Sequence, residues 1–325
     1  MTGLSSVLSQ DSTETVTVLK RKPNPYGSTF PTEIVQCRLN GQNGDKPVSL
    51  FVKYGTRKFD KVYGHRRGLS YEARVYGEVL QGMGVSTPKF YGLYKDGPRK
   101  TPWLIMEYMS QGRPASWLKD PIGMVRSAGW IGRFHAANEK RVQDGKMKFL
   151  RKYDSDYYHG WAKRTKRLFK RVHSSFPWLA PLCVEFEQKI PVLVEAPQTI
   201  IHGEYFGVNV LYQHGVSRPI DWQSAAIAPG EVDLASLTHS WVSPVVHDCE
   251  REYARSRWPK GPPDSFPEIL DVARVYMNLR WLGDPKMMLP LVTPTGRPRV
   301  KMSVFLAMQA LLDLHSVGRR LELIQ

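Results

Sequence analysis

The residues of this chain most able to do chemistry crowd into one stretch, residues 199–237 (TIIHGEYFGVNVLYQHGVSRPIDWQSAAIAPGEVDLASL). Glu204 follows His202-Gly203, Asn209 comes five residues after Glu204, and Asp221 sits inside Ile220-Asp221-Trp222. The pattern predicts a short apolar strand over 199–201, a polar loop carrying His202, Gly203 and Glu204, and an apolar run over 208–212. A turn at Gln213-His214-Gly215 and a return through Pro219-Ile220 would follow. Such a hairpin brings two carboxylates and one amide to the same place. That set suits phosphoryl transfer. One carboxylate accepts or orients the proton of an attacking hydroxyl, while an amide oxygen and a second carboxylate hold Mg2+ against phosphates.

The elements that must position this set divide by type along the chain. Residues 15–20 and 32–39 alternate as strands around a turn-rich segment, Arg21 to Pro31, that carries Gly27, Ser28 and Thr29. Residues 40–47 read as a hairpin turn and 48–54 as a strand bearing Lys53. A helix is expected from about Leu69 to Gly82, with Tyr71, Val75, Val79 and Leu80 on one face and Glu72 in its first turn. Taken alone, Lys53 is an edge charge and Glu72 a helix-start residue favoured by the dipole. Residues 85–88 break the helix, Lys89 to Leu93 lead into a strand, Asp96-Gly97-Pro98 is a turn, and 103–109 is a buried strand before a linker at 111–114.

After that point the chain reads as helix: 122–138, 178–197, 234–242, 266–282 and 300–323, with a loop at 259–267 and a basic turn at 293–299. His135 reads as a helix-packing histidine, because nothing near it in sequence supplies a nucleophile. Asp233 reads as a brace for the loop at 202–204 rather than a reacting group.

His202-Gly203-Glu204, Asn209, Ile220-Asp221-Trp222 and Gly230-Glu231-Val232-Asp233-Leu234-Ala235 together resemble the aminoglycoside phosphotransferase family. That family shares the protein-kinase-like fold and includes choline, homoserine and other small-molecule kinases. Its usual order is His-Gly-Asp, four residues, Asn, then Ile-Asp-Trp, and this chain departs from it at Glu204. The resemblance implies an α+β, bilobal protein-kinase-like fold, with a mostly β N-lobe containing one helix and a mostly α C-lobe. Residues 1–14 would be a flexible tail, 15–109 the N-lobe and 110–325 the C-lobe, with ATP (or GTP in its place) and Mg2+ in the cleft between lobes.

The same resemblance implies roles. Lys53, aligned by Glu72, would neutralise the α/β-phosphates beneath a loop of Gly27, Ser28 and Thr29. Backbone groups of Glu107 and Met109 would meet the adenine edge, Asp221 and Asn209 would hold the metal, and Glu204 would receive the acceptor hydroxyl. Glu in place of Asp adds one methylene, ~1.5 Å of reach. In a loose transfer the base contributes less than positioning and metal electrostatics do, so the substitution is compatible with activity. The interval between Asp221 and Asp233 is too short to display a peptide, which argues against a protein kinase.

Length and charge bound the rest. A chain of 325 residues can bury a large core and suggests two lobes. No apolar run reaches the ~18 residues of a membrane span, and the N-terminus lacks the basic start and apolar block of a signal peptide. Cys37, Cys183 and Cys249 are far apart, as expected of reduced thiols in a cytoplasm. A net charge of +16 implies a polyanionic partner. The segment 140–173 holds twelve Lys or Arg against three Asp, interleaved with Tyr153, Tyr157, Tyr158 and Trp161.

Three readings of that segment stand side by side: a solvated basic face, a receiver for an anionic small-molecule acceptor, or a patch for nucleic acid or an anionic membrane. The last would suit an alternative function, a weak or inactive pseudokinase that works as a nucleotide- or nucleic-acid-binding module. A polycationic aminoglycoside fits the basic insert poorly as an acceptor.

Overall fold

Alternating apolar positions build the first sheet. In the computed structural model, which describes residues 2–8, 15–41, 44–57, 61–95, 97, 101–170, 175–286 and 298–324, β1 (Thr15–Pro23) pairs antiparallel with β2 (Thr32–Gly41). β2 pairs with β3 (Gly44–Tyr54), and β4 (Phe90–Tyr94) and β5 (Trp103–Glu107) complete the order β1-β2-β3-β5-β4. Val35 and Cys37, Leu50 and Val52, and Ile105 point to one face as the two-residue period requires and form a buried core.

Helix α1 (Thr2–Leu8) lays Leu4 and Leu8 on that core. This corrects the expected flexible tail for residues 2–8. Leu4 and Leu8 repeat at helical spacing, and α1 comes so close to the sheet that a Cβ at Gly92 would sit 2.8 Å from Val7 Cγ1. The expected helix over 69–82 ends at Leu80 and is of two kinds, α2 (Leu69–Arg74) and a π-helical continuation, Val75–Leu80, closed by Gln81 N–H donating to Tyr76 O.

The chain divides into two compact units, and the division is not a single cut near residue 110. Unit 1 is Met1–Pro114 with Asn209–Ser224, and unit 2 is Ala115–Val208 with Ala225–Gln325. The returning segment joins unit 1 through β6 (Arg113–Pro114), which pairs with β9 (Val210–Gln213), itself paired with β10 (Val216–Pro219). Strand-to-strand hydrogen bonding thus draws residues 209–224 of that stretch into the strand-rich unit. His214 at φ +49° and Gly215 at φ +80° supply the two left-handed residues a two-residue hairpin turn needs.

Unit 2 is helical: α3 (Ile122–Gln143), α4 (Ser155–Phe169), α5 (Leu179–Glu195), α6 (Glu231–Thr238), α7 (Ser243–Arg257), α8 (Phe266–Leu282) and α9 (Pro298–Arg320). A small sheet runs β7 (Arg151–Lys152), β11 (Ala226–Pro229), β8 (Gln198–Ile201). The expected helix over 234–242 is corrected: α6 stops at Thr238, and Ser240 at φ +62° separates it from α7. The reading of the sequence misses α7 because its buried stripe, Val245, Cys249, Tyr253 and Arg257, is only one residue wide. The basic turn at 293–299 and the turn at 96–98 lie largely outside the described residues.

The basic segment folds with its aromatics inward. Asp154 caps α4 by accepting the Tyr157 N–H at 2.9 Å. Tyr153, Tyr157, Tyr158 and Trp161 are all buried; Tyr153 stacks on Tyr157 at 3.9 Å, and the hydroxyls of Tyr157 and Tyr276 are 2.8 Å apart. This corrects the aromatic–cationic patch: the rings belong to the core of unit 2, and Lys163, Arg167 and Lys170 are left as exposed cations. Among the described residues no helix is long and apolar enough to cross a membrane.

Candidate active site

Lys53 lies on β3 directly after Val52, so the strand's alternation turns it away from the core cluster that Val52 joins. It is nevertheless 4% exposed, because two carboxylates close over it: Nζ is 2.8 Å from Glu72 Oε1 and 2.7 Å from Asp221 Oδ1. Burial pulls the ammonium's pKa down, but Asp221 and Glu72 outweigh it and hold it above the ordinary lysine value. The Glu72 carboxyl is pushed up to about 7 by burial, with Lys53 opposing and Asp221 adding to the rise. Three residues far apart in sequence thus form one ion-paired cluster.

Asp221 follows β10 with φ +70°, a left-handed conformation that Asp tolerates better than most residues. Ile220 N–H donates to Asn209 O at 2.9 Å, which fixes the two ends of the hairpin against each other. Gln223 is a residue the sequence reading misses. Its side-chain amide donates to Asp221 Oδ2 and to Thr29 Oγ1, both at 3.3 Å, and its carbonyl accepts from Arg67 N–H at 3.0 Å. It therefore ties the segment of Gly27, Ser28 and Thr29 to the carboxylate. Only a glutamine two residues beyond Asp221 hinted at this.

Ser28 Oγ accepts from Phe30 N–H at 3.3 Å, and Gly27 has open space where a Cβ would be and no positive φ. Nothing in unit 1 itself demands glycine there. Past β5, Glu107 N–H is taken by Lys89 O at 2.8 Å and Met109 O by Gly112 N–H at 3.1 Å, whereas Met109 N–H has no partner among the described residues.

Among the described residues there is no group of three or more His, Cys, Asp or Glu able to hold a metal unaided. That agrees with the donor set at hand. Mg2+ is commonly held by one or two protein oxygens together with nucleotide phosphates, and one carboxylate (Asp221) with one amide (Asn209) fits such an ion.

Unit 2 carries the other residues of interest. Asp233, in the first turn of α6, accepts His202 N–H at 2.6 Å and Gly203 N–H at 2.9 Å, and its Oδ2 lies 3.2 Å from His135 Nε2. The loop bearing Glu204 is thus hung on one buried carboxylate, the bracing part expected of Asp233. His135 is fully buried, its other nitrogen 3.0 Å from Tyr253 Oη, and burial lowers its pKa despite Asp233. It packs between helices, as expected. Gly230 is required by this crowding, since a Cβ there would strike His135, Tyr253 and Arg257.

Glu204 is 3% exposed, and Arg280 of α8 brings Nη1 to 3.6 Å from its Oε1. The sequence reading misses Arg280 as well: it sits in a helix with no motif around it.

Residues 57–264 match the family model described as the phosphotransferase enzyme family. No curated protein matches the sequence. Solved structures similar in fold include the GDP complex of aminoglycoside 2'-phosphotransferase-IIIa, with 11% identity over 98% of this chain and 97% of that chain and a TM-score of 0.61. Choline kinase LicA from Streptococcus pneumoniae matches with 13% identity over 96% of each chain and a TM-score of 0.58. An amicoumacin kinase in complex with AMP-PNP, Ca2+ and its ligand matches with 12% identity over 90% of this chain and 88% of that chain, TM-score 0.58. The sheet-bearing first unit and helical second unit are the α+β arrangement of these protein-kinase-like proteins.

Proposed function

This chain belongs to the phosphotransferase enzyme family, and from that we propose that it moves the γ-phosphoryl group of a nucleoside triphosphate to a hydroxyl of a small molecule. The observation that carries the reading is the buried cluster of Lys53, Glu72 and Asp221. A lysine held by two carboxylates is poised to exchange one of them for phosphate oxygens, while its pairing with Glu72 keeps the ammonium in place.

In this proposal Lys53 neutralises the α/β-phosphates, Gly27, Ser28 and Thr29 approach them with backbone N–H groups, and Met109 N–H with a carbonyl of Glu107 meets the purine edge. Asp221 and Asn209 would hold the metal, whose service when bound is to neutralise charge on the β- and γ-phosphates. Glu204 orients the acceptor hydroxyl and takes its proton as the acceptor oxygen bonds to phosphorus and the nucleoside diphosphate leaves. Asn209 lies five residues beyond Glu204, so the chain alone keeps them within ~18 Å. ATP and Mg2+ are the proposed pair; the relatives' complexes with GDP and with AMP-PNP and Ca2+ support a nucleotide and a divalent cation.

Relatives act on aminoglycosides, choline and amicoumacin by their names. For this chain, with its +16 charge and the basic segment 140–173, an uncharged or anionic hydroxyl compound is the proposed acceptor.

The deciding experiment is thermal melting with Mg2+ and ATP or GTP, wild type against D221A, followed by release of the diphosphate over an acceptor panel. A ligand at 100 times its Kd adds about 2.7 kcal/mol, enough to move the midpoint by several degrees. A wild type that does not respond to either nucleotide ends the reading.

A further inference from the structure

Glu204, the acid at which this chain departs from His-Gly-Asp, pairs with Arg280 of α8. Arg280 is 7% exposed, and its guanidinium stays charged at any accessible pH. A buried cation without a counter-charge is strongly destabilising, and Nη2 of Arg280 has no hydrogen-bond partner among the described residues. The carboxylate of Glu204, 3.6 Å from Nη1, supplies that counter-charge. The guanidinium also lies 5.8 Å from the centre of the Phe206 ring, whose edge packs on Trp281 at 5.6 Å, so α8 grips the chain on both sides of Tyr205. An Asp at 204 would draw its carboxylate back by ~1.5 Å, beyond ion-pair range.

We propose that Arg280 is the positioning residue for Glu204: it fixes the longer side chain's direction and keeps it ionised. This rests on the phosphotransferase reading above. At 3.6 Å the contact is an ion pair longer than a hydrogen bond. Groups facing Glu204 include Arg280 from α8 and, within its own loop, His202, whose Nδ1 accepts the Glu204 N–H at 3.3 Å while its backbone N–H is held by Asp233 of α6.

The test is a carbon-13 NMR titration of the Glu204 carboxyl in the full chain, its signal identified by E204Q, in wild type, R280K and R280M. The expected result is a midpoint about 1 pH unit or more higher in R280M, with R280K close to wild type. R280Q carries the same expectation should R280M fail to fold. In E204D the shorter acid should titrate alike with and without Arg280. An unmoved Glu204 midpoint in R280M or R280Q overturns the proposal. Melting with Mg2+ and ATP separates the two failures: no nucleotide response in wild type sinks the phosphotransferase reading, whereas a normal response with an unmoved Glu204 sinks the role of Arg280 alone. Diphosphate release should then show kcat falling about tenfold in R280M with KM for ATP unchanged, partly restored in R280K.

Discussion

The ammonium of Lys53 lies 2.7 Å from Asp221 Oδ1, so the residue proposed to meet nucleotide phosphates is paired with the residue proposed to meet the metal. D221A and D221N should both abolish the metal-dependent part of the nucleotide's melting shift. They should differ without ligand. At φ +70° alanine is disfavoured by ~1–2 kcal/mol and asparagine is not, so D221A should melt several degrees below D221N. Equal midpoints for the two would contradict the left-handed backbone at 221.

Asp233 holds two loop N–H groups with two oxygens. D233N keeps one acceptor and turns an amide N–H2 toward the other donor. Leaving a buried donor unsatisfied costs about 1–3 kcal/mol. The variant should melt at lower temperature and lose turnover, yet still respond to Mg2+ and ATP, whose proposed ligands lie in unit 1. Loss of the nucleotide response in folded D233N would count against this division of labour.

His135 is buried with its pKa lowered. Its neutral form is favoured on folding, so the unfolded chain binds more protons just below the ordinary value of about 6.5. The stability this contributes is present above that pH and is lost as pH falls through the lowered value. Glu72, raised to about 7, has the opposite sign: the folded chain holds its proton longer, so stability falls as pH rises from about 4.5 to 7. The two partly cancel in the whole chain. Comparing wild type with H135Q isolates the first, and the difference in their melting points should shrink as pH drops from 7 to 5. A constant difference would contradict a neutral buried histidine.

Lys163 and Arg167 of α4 and Lys170 at its C-terminal cap are exposed, whereas the aromatic cluster is buried. K163E, R167E and K170E together should leave folding and the Mg2+–ATP response unchanged within about a degree, because surface charges contribute little to stability. RNA affinity, measured against salt, should be weak in wild type and lack the stacking contribution of about 1–3 kcal/mol per base that exposed rings give. Tight binding at physiological salt would restore a nucleic-acid role for this face.

Local order was legible in the sequence because it depends on spacing along the chain. Two-residue alternation marked β1, β2 and β3, and Val208 to Tyr212 and Gln213-His214-Gly215 marked the hairpin that ends at Asp221. The same spacing set Glu204 five residues before Asn209. What the tertiary structure decided was every pairing between distant segments. Lys53 with Asp221, Gln223 with Thr29, and Glu204 with Arg280 join residues 168, 194 and 76 positions apart. No local periodicity records such a partner. It also decided which side of an amphipathic segment faces inward. Tyr153, Tyr157, Tyr158 and Trp161 looked equally suited to a surface patch until Tyr276 of α8 closed over them. A residue's type sets what burial would gain, and only the packing of neighbouring elements sets whether it is buried.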